Sequence, residues 1–257
     1  MHGTPPPVRV MLVTGASTGV GAALAKHAAA EGLSLALVAR RKDALEAVAA
    51  ECGPSALPIV ADVTVRAEVE AAVSTALAHF GHLDVIVNNV GRGIAAQPSQ
   101  VSSADIDEMM RINVKSTLYG MQAVLPHFQA RNEGHIINVS SRLGRLPSVP
   151  IRSAYNWAKH FLNGLTANMR DELAVTHPGI AVSLVSPGLI YTDFGQHALH
   201  DGKDMRAQPG GQSKEEVASV IMQVVRTRQP DVFTRPGVKA EVLAYLDGLM
   251  VDAEPTV

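Results

Sequence analysis

Tyr155 and Lys159, in the segment Ser153-Ala-Tyr-Asn-Trp-Ala-Lys159, carry the strongest chemical potential in this chain. Residues four apart lie one above the other on an α-helix, so the spacing sets a phenol beside an ammonium. A free tyrosine has a pKa of about 10, and a fixed cation beside it favours the phenolate and brings proton exchange closer to neutral pH. Upstream, Ser140-Ser141 ends a strand-like run and offers a hydroxyl to the same substrate oxygen, Ser141 being favoured over Ser140. Tyr-x-x-x-Lys also recurs on helices as a plain packing pair. It becomes chemistry only beside a cofactor site.

Such a site is legible near the N-terminus. The apolar, β-branched run Val8-Arg9-Val10-Met11-Leu12-Val13 reads as a buried strand leading into Thr14-Gly15-Ala16-Ser17-Thr18-Gly19-Val20-Gly21, and then a helix from Ala22 to Glu31 closed by Gly32. Strand, glycine-rich turn and helix start form a phosphate-binding arrangement. Glycines let backbone N–H groups approach an anion, and a helix N-terminus favours negative charge.

The glycine spacing is Gly-x-x-x-Gly-x-Gly rather than Gly-x-Gly-x-x-Gly. Together with Asn88-Asn89-Val90-Gly91, Ser141, Tyr155-x-x-x-Lys159 and Pro187-Gly188, it resembles the short-chain dehydrogenase/reductase family over about Val8 to Thr234. The resemblance implies a catalytic set of Asn113, Ser141, Tyr155 and Lys159. Tyr155 would exchange the proton, Ser141 polarise a carbonyl, Lys159 hold the nicotinamide ribose, and Asn113, at a local kink in its helix, support a relay water. It implies a dinucleotide held by Gly15, Ser17, Thr18, Gly19, Val20 and Gly21 at the phosphates, by Asp62 and Val63 at the adenine, and by Asn89 and Gly91 beside the central strand. Pro187, Gly188, Ile190 and Thr192 would hold the nicotinamide, with Tyr155 and Lys159. Substrate would meet Ser141, Leu143, Tyr155, Tyr191 and Phe194, under a lid spanning 188–212 that includes Leu199 and Met205.

Cofactor preference turns on the end of the second strand, Val38-Ala39-Arg40-Arg41. NAD-preferring members of the family place an acid at the position aligned with Ala39, where it accepts from the ribose and repels a 2′-phosphate. Ala39 does neither. Arg40, with Arg41 as accessory, offers a planar fork suited to phosphate oxygens, so NADP(H) is expected over NAD(H). Asp62 also reads as a helix N-cap, an alternative left open.

Composition fits one enzyme domain over 8–257 preceded by a flexible lead-in, 1–7. With 257 residues, 47% hydrophobic, the chain can bury a large core. A formal net charge of -2 gives no electrostatic case for nucleic acid or an anionic membrane. Cys52 is the single cysteine, so an internal disulfide is impossible. His197 and His200, near Asp193 and Asp201, lack a defined ligand spacing, and no metal is expected. Met1 to Pro7 has neither a basic n-region nor an apolar h-region, and no apolar run approaches the ~20 residues of a membrane helix. A cytoplasmic location is expected.

Strand signals at Leu33–Ala39, Leu57–Val60, Asp84–Asn88, His135–Val139, Ile180–Val185 and Asp231–Thr234 alternate with helices. The helices read as Lys42–Glu51, Arg66–Phe80, Ser103–Arg131, Ser153–Thr176, Glu215–Thr227 and Val238–Met250. Repeated βα units predict an α/β fold, a doubly wound parallel Rossmann sheet of about seven strands flanked by helices. The expected activity is hydride exchange between nicotinamide C4 and a ketone, aldehyde or secondary alcohol, as a carbonyl reductase acting on a hydrophobic substrate. Arg142, Arg145 and Arg152 near the catalytic junction leave a 3-oxoacyl-thioester reductase as the second reading. A non-catalytic dinucleotide sensor is a third, disfavoured by the intact catalytic set. The partners expected are a small carbonyl or alcohol and further copies of the chain. Trp157 reads as core or subunit-interface packing, in a homodimer or homotetramer.

Overall fold

The computed structural model of the chain describes residues 9–204, 206 and 208–250. The lead-in 1–7, Val8 of the first expected strand and Met205 of the expected lid lie outside the described residues.

Aliphatic runs form β1 (Val10–Thr14), β2 (Ser34–Ala39), β3 (Ala56–Val60), β4 (Val85–Asn88), β5 (Gly134–Val139), β6 (Ile180–Ser186) and β7 (Asp231–Phe233). All neighbours pair in parallel, in the order β3-β2-β1-β4-β5-β6-β7. Crossovers in a parallel sheet put helices on both faces, which is why β1 and β4 are buried at every position rather than alternating. The helices are α1 (Gly19–Ala30), α2 (Lys42–Cys52), α3 (Arg66–Phe80), α4 (Ser103–Met110), α5 (Ser116–Arg131), α6 (Ser153–Thr176), α7 (Lys214–Thr227) and α8 (Val238–Asp247). One face of the sheet closes over Leu24, Leu37, Leu45 and Ile221. The other closes over Leu12, Ile86, Met121, Phe128 and Leu173. The expected doubly wound sheet of seven strands is the observed one.

The helix expected over Ser103–Arg131 is interrupted. Between α4 and α5, residues Arg111–Lys115 form a π-helical turn centred on Asn113. Such turns fit an extra residue into a helix and re-aim the side chains there. At the other boundaries, α3 stops at Gly81 in the left-handed conformation, and α8 ends at Asp247, short of the expected Met250. No helix among the described residues is long and apolar enough to cross a membrane.

Strand order reverses at β1, which lies between β2 and β4. Ligands of open α/β sheets bind beyond the carboxyl ends of the strands at this switch point. Here β1 leads into the glycine turn, β4 into Asn89, β5 into Ser141 and β6 into Pro187, all on one edge.

His135 on β5 is buried and its Nε2 lies 2.8 Å from Ser183 Oγ on β6. Burial, reinforced by Arg228, pushes its pKa down to about 3, so the folded chain keeps the ring neutral. An unfolded chain protonates it below about pH 6.5. The unfolded state therefore holds the extra proton between those values, and stability falls as pH drops through that window, by at most about 1.4 kcal/mol per pH unit from this residue. Urea midpoints measured from pH 7 to pH 4 should decline less steeply in His135→Gln. Parallel declines would remove His135 from the acid response.

Candidate active site

The first candidate anion-binding element is the turn between β1 and α1. Gly15 and Gly19 adopt φ of 68° and 58°, in the left-handed region that favours glycine. Thr18 caps α1 without a side-chain hydrogen bond, and no acid stands in the first helical turn. The leading amides are therefore left to an external acceptor, so the turn fits a dinucleotide pyrophosphate. Ser17 and Thr18 line it from outside. Val20 is buried in the core and offers only its main chain.

At the adenosine end, Arg40 and Arg41 are both exposed beyond β2. Arg40 Nη1 stands 3.7 Å from Asp62 Oδ2, while Arg41 Nη2 donates to Thr18 Oγ1 at 3.0 Å. The residue expected as accessory thus reaches the glycine turn. Asp62 does not cap a helix: α3 begins after Val65, and the Asp62 carboxylate accepts instead from Thr64 N and Oγ1 at 2.9 and 2.8 Å. Those bonds, with Arg40 and Arg111, hold Asp62 below its ordinary value against an opposing desolvation that is the largest single contribution. Val63 is buried, leaving only its backbone available.

Asn89 braces the switch point. Its N–H and Nδ2 donate to Thr14 Oγ1 and O at 3.0 and 3.1 Å. Asn113, fully buried in the π turn, clasps the Arg92 peptide: Oδ1 accepts from Arg92 N at 3.1 Å and Nδ2 donates to Arg92 O at 3.0 Å. A methyl built on Gly91 would stand 3.1 Å from Asn113 Oδ1 and 3.6 Å from Lys159 Nζ. Asn113 and Lys159 therefore flank one small residue.

The candidate reacting groups come from β5 and α6. Ser141 opens a short 3-10 turn, its Oγ accepting from Leu143 N at 3.1 Å, and it is hydrogen-bonded to the Tyr155 phenol. Ser140 is committed elsewhere, donating to Asn163 Oδ1 at 2.6 Å. Lys159 Nζ donates to Val139 O at 2.9 Å and lies 5.7 Å from the Tyr155 ring centre. The expected lowering of the phenol by Lys159 is not what this arrangement gives. Burial pushes Tyr155 up to about 12, opposed by the Ser141 hydrogen bond and by Arg152, and burial pushes Lys159 down to about 7. Desolvation wins because both groups are sealed under the lid and helix wall.

The lid starts as Pro187-Gly188-Leu189. Thr192 faces the glycine turn, its Cγ2 3.8 Å from where a methyl on Gly19 would stand. Ile190 bridges Gln212 at the lid's return, and Gln212 Nε2 donates to Thr234 O at 3.0 Å. Tyr191, expected against substrate, packs on Gly211 and accepts from its N–H at 2.9 Å, which engages it in the lid's stem. Phe194 does face Tyr155: the two ring centres are 5.6 Å apart. Leu143 packs against the cluster containing Tyr155. His200 pairs with Asp105 at 2.8 Å, and no cluster of metal-ligating residues occurs among the described residues. A shallow hollow beside β7, lined by Pro230, Phe233, Arg235 and Lys239, contains none of the catalytic candidates.

The sequence pattern of the short chain dehydrogenases matches residues 9–203. The chain belongs to that family. It is 34% identical over 194 residues to an uncharacterized oxidoreductase of Staphylococcus epidermidis, covering 73% of this chain and 83% of that one. Its fold is similar to a 3-ketoacyl-(acyl-carrier-protein) reductase from Brucella melitensis complexed with NADH, with TM-score 0.80, 28% identity and 90% and 98% of the two chains covered. An alcohol dehydrogenase from the archaeon Thermococcus sibiricus complexed with 5-hydroxy-NADP gives TM-score 0.78, 26% identity and coverage of 88% and 96%. The protein is thus a short-chain dehydrogenase/reductase with an NAD(P)-binding fold, and an oxidoreductase.

Two supports of the site in this dehydrogenase were not singled out from sequence. Asn163 holds Ser140 and donates to Gly144 O at 2.7 Å, clamping the loop that bears Ser141. Its signal was present: it lies one turn beyond Lys159 on the Tyr155 stripe. A chain of buried amides, Asn88 Nδ2 to Asn138 Oδ1 at 2.9 Å and Asn138 Nδ2 to Thr166 Oγ1 at 3.0 Å, ties β4 and β5 to α6. Polar residues in strands carry no such signal alone.

Gly21 makes the turn's closest approach. A methyl there would press into the Gly15 carbonyl and stand 2.8 Å from Asn89 Nδ2, against backbone that cannot step aside. Gly21→Ala is expected to destabilise the fold by about 1–3 kcal/mol, lowering Tm by roughly 2–10 °C, and to weaken dinucleotide binding with it. Thermal melts with and without cofactor test this, and an unchanged affinity would detach Gly21 from the binding turn.

Proposed function

We propose that this short-chain dehydrogenase/reductase is an NADP(H)-dependent carbonyl reductase acting on a hydrophobic ketone or aldehyde. One observation carries the reading: a buried Tyr155 hydrogen-bonded to Ser141, one turn from Lys159 and faced by Phe194 at the mouth of the site. A reduced nicotinamide supplies hydride to the carbonyl carbon when bound. Tyr155 gives its proton to the carbonyl oxygen, so alcohol and oxidised cofactor result, and Ser141 orients that oxygen. Lys159 binds the nicotinamide ribose and, with a water held between it and Asn113, returns a proton to Tyr155. Leu143 and Phe194 supply the apolar wall.

Arg40 favours NADP(H), its exposed guanidinium standing beyond β2 where a dinucleotide fold brings the ribose. Trp157 and Phe161, 45% and 55% exposed and four apart on α6, are not core residues and support a homodimer or homotetramer packed through this helix. The second reading, a 3-oxoacyl-thioester reductase, is favoured by the likeness to the Brucella enzyme. The test is a panel of ketones, aldehydes, thioesters and alcohols with NADPH and NADH, followed by nicotinamide absorbance. Oxidation of NADPH by simple carbonyls supports the first reading. Turnover restricted to thioesters replaces it with the second.

A further inference from the structure

The loop after β4 carries an arginine between two glycines, Gly91-Arg92-Gly93. A methyl on Gly93 would stand 3.1 Å from Phe194 Cε1, and one on Gly91 would stand 3.8 Å from Phe194 Cε2. The bare backbone on either side of Arg92 is therefore a floor under the Phe194 ring, whose other neighbour is the Tyr155 ring. Arg92 itself is gripped from three sides. Asn113 holds both polar atoms of its peptide. Its Nη1 stands 3.5 Å from Glu108 Oε1 on α4, a carboxylate that Arg111 binds through two hydrogen bonds of 2.8 and 2.9 Å. Its Nε donates to His197 O in the lid at 2.8 Å.

His197 closes a short turn of the lid, its N–H donating to Asp193 O at 3.2 Å, and Ala198 N–H reaches Gly195 O at 3.2 Å. Phe194 rides on that turn. Beyond it the lid is stitched to the same loop by backbone, Leu199 N to Gly93 O at 3.0 Å and Ala95 N to Leu199 O at 2.9 Å. The Arg92 bond ties the turn, and Phe194 with it, to the body of the fold. A charged donor makes a stronger hydrogen bond to a carbonyl than a neutral one, and Glu108 fixes the direction of this one. We propose that Arg92 is a positioning residue for substrate selection: through His197 it holds Phe194 on the Gly91 and Gly93 backbone, and so maintains the apolar wall that favours long hydrophobic carbonyl compounds over short ones. This rests on the carbonyl-reductase reading and names the residue behind its selectivity. Main chain and side chain have separate roles here. Asn113 grips the peptide, which any residue at this position supplies, so removal of the guanidinium frees the lid and leaves the Asn113 contact in place.

The test uses Arg92→Met, which keeps an apolar stem and removes the donors. In hydrogen exchange of the full chain read by mass spectrometry, the lid amides over 193–200 should exchange about three- to thirtyfold faster, the value of one charge-assisted bond, while β5 and α6 are unchanged. With NADPH, KM for 2-octanone should rise by a similar factor, whereas KM for 2-butanone and both kcat values stay within about twofold. Arg92→Lys should restore part of the lid protection and of the 2-octanone KM. Unchanged lid exchange overturns the proposal. So does acceleration that extends through β5 and α6, which would assign Arg92 to the fold, and so does an equal loss on both ketones or a loss confined to kcat. If no carbonyl compound is turned over, the reductase reading fails separately. Calorimetry of 2-octanone and 2-butanone on the NADP⁺-loaded protein then decides Arg92, a preference for the longer ketone that Arg92→Met removes supporting it and unselective binding refuting it.

Discussion

Tyr155→Phe is expected to lower kcat by about 10²- to 10⁴-fold while leaving NADPH affinity within twofold. The change removes the transferable proton and little volume, and Phe194 still packs edge-on against the ring. A phenol pushed up to about 12 by burial is protonated at neutral pH, the form a general acid requires. Tyr155 needs no ionisation for reduction between about pH 6 and 9, so the rate should change in that range only as Lys159, pushed down to about 7 by burial, loses its proton. Alcohol oxidation needs the phenolate and should rise through the same range. Steady-state rates in both directions measure this. Retention of most of the wild-type kcat in Tyr155→Phe would remove Tyr155 from the proton path.

The second large effect concerns cofactor choice. Arg40→Ala should weaken NADPH binding by about 1.5–3 kcal/mol, roughly ten- to a hundredfold, and NADH binding hardly at all. Ala39→Asp combined with Arg40→Ile should invert the preference, because it adds a ribose acceptor and a charge that repels the 2′-phosphate. Arg41→Ala is an informative companion, since Arg41 reaches Thr18 on the glycine turn. Calorimetric titration with both nucleotides reads all three variants. Equal losses of NADH and NADPH in Arg40→Ala would assign that residue to the fold.

The sheet was legible because its signals are local. Apolar runs bounded by glycine and polar residues mark the strands, and the α6 boundaries at Ser153 and Thr176 follow from the helical pattern alone. The π turn at Asn113 was foreshadowed only by the kink that the family resemblance implies there, because an extra residue in a helix changes no periodicity that one sequence displays. Asp62 misled as a helix cap since an Asx turn and an N-cap use the same residue type. The environments of Tyr155 and Lys159 were the larger gap. Their spacing predicts proximity, but desolvation depends on Phe194 and the β5 carbonyl at Val139, which come from distant parts of the chain. The arginines near the junction looked equivalent for the same reason, although Arg142 pairs with Glu241 and Arg145 with Asp231.

The amide chain from Asn88 through Asn138 to Thr166 works as an indexing pin for α6. Each helical residue turns the axis by about 100°. One residue inserted between Lys159 and Asn163 would force a choice: keep Asn163 and Thr166 seated and swing the phenol off Ser141, or keep the phenol and strand two buried amides. Length variation in this helix is thus tolerable only beyond Thr166, towards Thr176. Changes of length in the lid beyond Phe194 leave the register of Tyr155, Lys159 and Asn163 on α6 untouched.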